Sequence, residues 1–201
     1  ELCEKIPGAN VNAVTDTLGC DSRIGHKYLK GALGYSGPCF PRDGRAFIHT
    51  ARKFNVSLSL VEATDKINQR QVSRIVNLIL SLLPTGGRVG ILGLAYKPDT
   101  NVIEESQAIE IARVLSEKGI LVSVFDPKAM ENARQVLTDK IVFASSLKDC
   151  VEKADIIMIA TPWPEFKDID PSYLKREGKK PILIDCWRIL DEKKYKEAAD
   201  F

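Results

Sequence analysis

The chain has 201 residues, 44% of them hydrophobic and 28% charged, which is room for a sizeable core in one large domain or two small ones. A formal net charge of only +2 gives no electrostatic case for a nucleic-acid or membrane partner, and no apolar run approaches the ~18 residues of a membrane span. Cys3, Cys20, Cys39, Cys150 and Cys186 are widely spaced with no CxxC pair, which argues against a disulfide framework or a structural zinc site and for a reducing, cytosolic setting.

The chain opens at Glu1 with ELCEKIPGANVNAVTDTLG, which reads as the middle of a helical region, so we expect part of a longer protein. NVNAVTDTLG predicts a short helix closing at Gly19, and RAFIHTARKFN a second. VEATDKINQRQVSRIVNLILSLL predicts a long helix, because Ile67, Val72, Ile75, Val76, Ile79 and Leu83 fall mostly three or four apart. Pro84 and Gly86-Gly87 stop it. Residues 1–84 are thus read as one helical region, in which we find no good strand.

Residues 85–201 change character. RVGILGLAY, LVSVFDP, KIVFAS, DIIMIATPW and PILIDCW predict strands. SQAIEIARVLSEKG, KAMENARQVLT and SLKDCVEKA predict the helices between them, the first ending at Gly119. The alternation implies an α/β fold, a parallel sheet covered by helices on both faces. Ligands of such sheets bind beyond the carboxyl ends of the strands. The first strand ends in Gly90-Ile-Leu-Gly93-Leu-Ala95, spaced GxxGxA rather than GxGxxG, and YKPDT follows where a phosphate turn would enter its helix. The sheet is of the dinucleotide-binding type with a degraded fingerprint. It is a poor candidate for a standard NAD site, and one glycine can equally serve close strand–helix packing.

The segment GALGYSGPCFPRD carries the chemistry. Gly31, Gly34 and Gly37 permit positive φ and close approach to a ligand. Arg23, Lys27 and Lys30 are cationic, and Tyr28 and Tyr35 offer flat surfaces, a combination suited to a phosphorylated substrate with a ring. Pro38 and Pro41 stiffen the backbone around Cys39. If a helix begins after Pro41, Cys39 sits at its N-terminus, where helix-end donors and a cation such as Arg42 favour a thiolate. Asp43 could then orient or deprotonate a water, and covalent catalysis through sulfur would follow. The competing reading is a small packed thiol, and we keep it for the other four cysteines. His26 and His49 form no evident Cys-His-Asn arrangement, and His26 is read as solvated or packing.

GYSGPCFPRD resembles the catalytic loop of the UDP-glucose 6-dehydrogenase family, the wider nucleotide-sugar dehydrogenases, whose loop reads like GFGGSCFPKD. DSRIGHKYLKGALGYSG resembles that family's substrate loop, GILGLAYKPDT the start of its last domain, and LIDCWRIL that domain's final strand. The four segments keep the family's order and cover essentially the whole chain.

The resemblance implies a helical central region with dimerisation and the cysteine loop over residues 1–84, then a Rossmann-like UDP-sugar-binding domain over residues 85–201. The NAD-binding domain would precede this chain. The implied reaction oxidises a sugar C6 alcohol to a carboxylate with NAD, through a thiohemiacetal and a thioester on Cys39, with Asp43 helping to activate water. Substrate contacts would come from Arg23, Tyr28, Lys30, Gly34, Tyr35, Gly37, Lys97 and Arg188. Arg23 would reach the neighbouring subunit's substrate in a homodimer with shared sites, and Arg42 would lie near NAD. Glu104 stands where many members carry an NAD-contacting arginine, Pro38 where serine is common, and Arg42 where lysine is common. Arginine's forked donor is not a point charge, so cofactor geometry there can differ. Alternatives left open are UDP-N-acetylmannosamine or GDP-mannose as substrate, and an isolated non-catalytic binding and dimerisation module.

Overall fold

A computed structural model describes residues 1–176 and 178–201. The chain forms two compact units, Glu1–Ala32 and Leu33–Phe201.

The first unit holds α1 (Leu2–Lys5) and α2 (Val11–Gly19). Asn10 starts α2 as its N-cap, its Oδ1 accepting from the Asn12 N–H at 2.9 Å and the Ala13 N–H at 3.4 Å. At Gly19, the last residue of the helix, the His26 ring fills the space of a side chain, with Nδ1 2.2 Å from where a Cβ would stand. His26 is therefore a packing residue.

The second unit begins with α3 (Phe40–Lys53) and α4 (Ser59–Leu82), followed by five parallel strands. These are β1 (Arg88–Leu92), β2 (Leu121–Phe125), β3 (Val142–Phe143), β4 (Ile156–Ile159) and β5 (Ile182–Asp185), in the order β3-β2-β1-β4-β5. The central strands are short β-branched runs, and β4 is buried along its whole length, as a sheet covered on both sides requires. Between the strands lie α5 (Gln107–Glu117), α6 (Met130–Arg134) and α7 (Leu147–Val151); α8 (Glu192–Tyr195) follows β5. The step from β1 to β2 and the step from β3 to β4 run in opposite directions across the sheet. Right-handed crossovers therefore put α5 and α7 on opposite faces.

Gly90 lets α7 come close. A Cβ at Gly90 would sit 2.8 Å from the Cys150 carbonyl oxygen and 3.0 Å from the Ala154 Cβ. Ile75, Val76 and Ile79 of α4 join the strands and α5 in one core.

Some elements differ from the sequence expectation. Ile67 is exposed, and half-buried Asn68 takes its place on the inward line with Val72, Ile75 and Ile79. The helix predicted over KAMENARQVLT is only α6, because the chain tightens into three-residue turns at Gln135 and Val136. KIVFAS yields the two-residue β3, an edge strand paired with β2 alone. After β4, two 3₁₀ turns (Pro164–Asp168 and Pro171–Leu174) each begin on a proline, where the missing N–H costs nothing.

Candidate active site

Cys39 is the N-cap of α3, with φ −97° and ψ −65°. Its carbonyl oxygen accepts from the Asp43 N–H at 2.8 Å, so the helix starts on the cysteine itself. Pro41 occupies the first turn, where no helical hydrogen bond is lost. Asp43 lies one turn on and hence on the same side of the helix as Cys39. Arg42 Nε donates to Asp43 Oδ1 at 2.9 Å, and that hydrogen bond holds the Arg42 proton above its ordinary range. Cys39, Arg42 and Asp43 are all exposed. Cys150, by contrast, is fully buried beside Ser123, and burial pushes its thiol up to about 12.

The backbone leading to Cys39 is held by side chains distant in sequence. The Gly34 N–H donates to Gln107 Oε1 at 2.7 Å, and Asn68 Nδ2 donates to the Tyr35 carbonyl at 2.9 Å. Gln107 Nε2 in turn reaches Asn68 Oδ1 at 3.3 Å. The Gly37 N–H donates to the Glu104 carbonyl at 3.0 Å. Gly37 has φ +87°, and a Cβ there would lie 2.5 Å from the Tyr96 ring, so only glycine fits. At Gly34 a Cβ would lie 1.9 Å from Asn68 Oδ1. The close approach that these two glycines allow is to the protein's own side chains. Tyr35 stacks edge-on against Phe40, ring centroids 6.3 Å apart. Arg45 of α3 donates to the Pro41 carbonyl at 2.9 Å and pairs with Glu105.

The turn after β1 is tied down at every backbone group it would offer a ligand. Gly93 has φ +95° and abuts Thr161, 2.4 Å from a Cβ position. The Leu94 and Ala95 N–H groups donate to the buried Asp126 carboxylate at 2.7 and 3.0 Å. Trp163 Nε1 donates to the same oxygen at 3.1 Å. Thr161 Oγ1 donates to the Ala95 carbonyl and Ser106 Oγ to the Leu94 carbonyl, both at 2.7 Å. A pyrophosphate would need those amides free, so this turn is not a dinucleotide cradle. It is instead a fixed platform for Lys97, which is exposed, with its ammonium 5.5 Å above the Tyr96 ring.

Arg188 leaves the carboxyl end of β5 at φ +53°, a strained value for an arginine. Asp185 shapes the turn by accepting from the Trp187 and Leu190 N–H groups at 3.0 and 2.8 Å, while Trp187 Nε1 donates to the Ala160 carbonyl at 2.8 Å. Because only β4 separates β1 from β5, Lys97 and Arg188 rise from strands about 10 Å apart. Leu33, Gly34 and Ser36 line one small cavity together with Tyr96, Thr161 and Trp187. The thiol loop, the β1 turn and the β5 turn therefore meet at the carboxyl end of one sheet. A larger groove, about 570 Å³, runs between α4 and α5 past Asn68 and Gln107, behind the loop rather than at the thiol.

The family model described as the UDP-glucose/GDP-mannose dehydrogenase family, UDP binding domain, matches residues 90–192, and that family's central-domain model matches residues 1–70. The chain belongs to the UDP-glucose/GDP-mannose dehydrogenase family. Among curated relatives, the UDP-glucose 6-dehydrogenase of Rickettsia typhi is 37% identical over 98% of this chain and 46% of its own length. The UDP-glucose 6-dehydrogenase TuaD of Bacillus subtilis is 34% identical over 92% of this chain and 40% of its own. A UDP-glucose dehydrogenase structure from the archaeon Pyrobaculum islandicum superposes with a TM-score of 0.84 at 33% identity, over 96% of this chain and 43% of that one. The chain thus spans under half the length of these relatives. The central-domain match includes the loop that carries Cys39, and the UDP-binding-domain match includes all but the first two residues of the five-stranded sheet.

The first unit carries the remaining sequence candidates. Arg23 is exposed and held by Asp21, its NH2 group 2.6 Å from Oδ2. That hydrogen bond lowers the Asp21 carboxyl and raises the Arg23 guanidinium from their ordinary values. Lys30 lies 3.9 Å from Asp16, and Tyr28 is 88% exposed. Glu104 is exposed and contributes its carbonyl, not its carboxylate, to the loop. Asn68, Gln107, Glu105 and Asp126 were not singled out in the sequence. The available signal was, for Asn68, a polar residue interrupting the apolar stripe of α4, and for Asp126, an acidic residue directly after a buried strand; Glu105 and Gln107 gave none.

Proposed function

We propose that this chain is the thiol-bearing and nucleotide-sugar-binding part of an NAD-dependent UDP-glucose 6-dehydrogenase, which oxidises the sugar C6 alcohol to the carboxylate of UDP-glucuronate. The supporting observation is the exposed Cys39, at a helix start, on a loop clamped to the sheet end that carries Lys97 and Arg188. Residues 1–84 would supply the central region and residues 85–201 the sugar-nucleotide domain. NAD, held outside this portion, would accept the hydride in each oxidation, with Arg42 near it.

The roles of the chain's residues follow. Lys97 and Arg188 neutralise the diphosphate and fix the nucleotide. The backbone from Gly34 to Gly37 carries the thiol to the sugar, and Tyr28 and Lys30 of the first unit are further candidates for contacts with the substrate. The Cys39 sulfur adds to the C6 aldehyde, forming a C–S bond while the carbonyl oxygen takes a proton. That thiohemiacetal bears the hydrogen that a second oxidation removes, which an aldehyde alone cannot offer productively. The resulting thioester is attacked by a water that Asp43 orients, releasing carboxylate and restoring the thiol. Arg23 would serve the neighbouring copy of a homodimer. Its pair with Asp21 is exposed and easily exchanged for a phosphate. Five free thiols fit a reducing cytoplasm, and no helix among the described residues is long and apolar enough to cross a membrane.

The test is Cys39→Ser in the complete enzyme. The first oxidation should survive and net carboxylate formation should fall by about a thousandfold or more, in line with loss of a covalent nucleophile. Wild-type carboxylate formation by the variant would overturn the proposal. UDP-N-acetylmannosamine is the competitor to run beside UDP-glucose, because the structure of a UDP-D-ManNAc dehydrogenase from Pyrococcus horikoshii also superposes, with a TM-score of 0.75 at 25% identity.

A further inference from the structure

We infer that Asn68 and Gln107 are the positioning pair of the catalytic loop, setting where Cys39 stands relative to the sugar. The inference rests on the reading of Cys39 as nucleophile. Asn68 comes from α4 and Gln107 from the first residue of α5, and the loop runs between them. One amide accepts the Gly34 N–H at 2.7 Å, and the other donates to the Tyr35 carbonyl at 2.9 Å. The two amides also meet each other at 3.3 Å. Gln107 is 7% exposed, so its side chain has little water to fall back on if the contact is lost.

The geometry leaves no slack. A side chain at Gly34 would overlap both amides, at 1.9 Å from Asn68 Oδ1 and 2.3 Å from Gln107 Nε2. The backbone is pinned again at Gly37 by the Glu104 carbonyl, three residues before Gln107. Two pins, at Gly34–Tyr35 and Gly37, fix the path of the chain just before Cys39. The segment holding the second pin, between β1 and α5, also carries Lys97. The thiol and the diphosphate contact are thus positioned by one stretch of chain, and Gln107 is where that stretch meets the loop.

The test is steady-state kinetics of the complete enzyme with Gln107→Met, Gln107→Glu and Asn68→Ala, with Cys39→Ser run in parallel. A misplaced thiol should lower kcat about tenfold in Gln107→Met and in Asn68→Ala, with KM for the nucleotide sugar within about twofold. Gln107→Glu keeps an acceptor for the Gly34 N–H but loses the donor to Asn68 Oδ1, and should recover part of kcat. Should Gln107→Met not fold, Asn68→Ala carries the same expectation. Unchanged kcat in Asn68→Ala, or a loss in Gln107→Glu equal to that in Gln107→Met, overturns the positioning role. Full activity in Cys39→Ser overturns the underlying reading instead, so the two failures are distinct.

Discussion

Among the cysteines, position decides reactivity. Cys39 is exposed at a helix start, whereas Cys150 is sealed between β1, β2 and α7. Alkylation of the folded chain should label Cys39 and leave Cys150 untouched until unfolding, read by peptide mass spectrometry. Cys150 also predicts a pH effect. Its folded value of about 12 exceeds the ordinary thiol value of 9.0, so the stability it lends is intact below pH 9. Above pH 9 the unfolded thiol ionises and the folded one does not. Stability should then fall by about 1.4 kcal/mol per pH unit from this group, and Cys150→Ala should flatten that slope in denaturant titrations between pH 9 and 11. Lys97 and Arg188 predict a binding effect. Each alanine variant should weaken UDP-glucose binding by about 10- to 100-fold, the range for a lost charge-assisted hydrogen bond, measured by calorimetry. Cys39, Asp43, Lys97 and Arg188 could be proposed from the sequence because each sits in a local motif. Asn68 and Gln107 could not, because their partners are 33 and 73 residues away in the chain.

At the scale of elements, period and punctuation carried most of the reading. Pro84 with Gly86 ended α4, and Gly119, at φ +79°, ended α5. Misreadings fell where tertiary packing outweighs local pattern. Ile67 matched the apolar spacing yet faces out, since the same inward line accommodates Asn68, whose amide has the loop backbone to bind. The short β3 kept its pattern of alternation but has a single neighbour to pair with. The degraded glycine fingerprint has a physical cause that the sequence hid: Asp126 at the end of β2 consumes the Leu94 and Ala95 amides. Gly93→Ala should therefore be costly, by about 2 kcal/mol or more. It combines φ +95° with a Cβ 2.4 Å from Thr161, and the shift in thermal or denaturant midpoint checks it.

At the scale of the molecule, the parallel sheet gathers residues scattered over the chain at one end, beyond the carboxyl termini of β1, β4 and β5. The order of strands could not be read from alternation alone, because every buried run looks alike to a periodicity argument. With β1 and β4 neighbours, the loop before Cys39 shares a small cavity with the turns after β1, β4 and β5. The central claim is that Cys39 stands at the nucleotide-sugar site. The most direct measurement is the rate of Cys39 alkylation in this chain with and without saturating UDP-glucose, with exposed Cys20 as internal reference. The account predicts that UDP-glucose slows Cys39 several-fold, leaves Cys20 unchanged, and loses its effect in Arg188→Ala. Equal Cys39 rates with and without nucleotide sugar, at a concentration shown by calorimetry to fill the site, would contradict it.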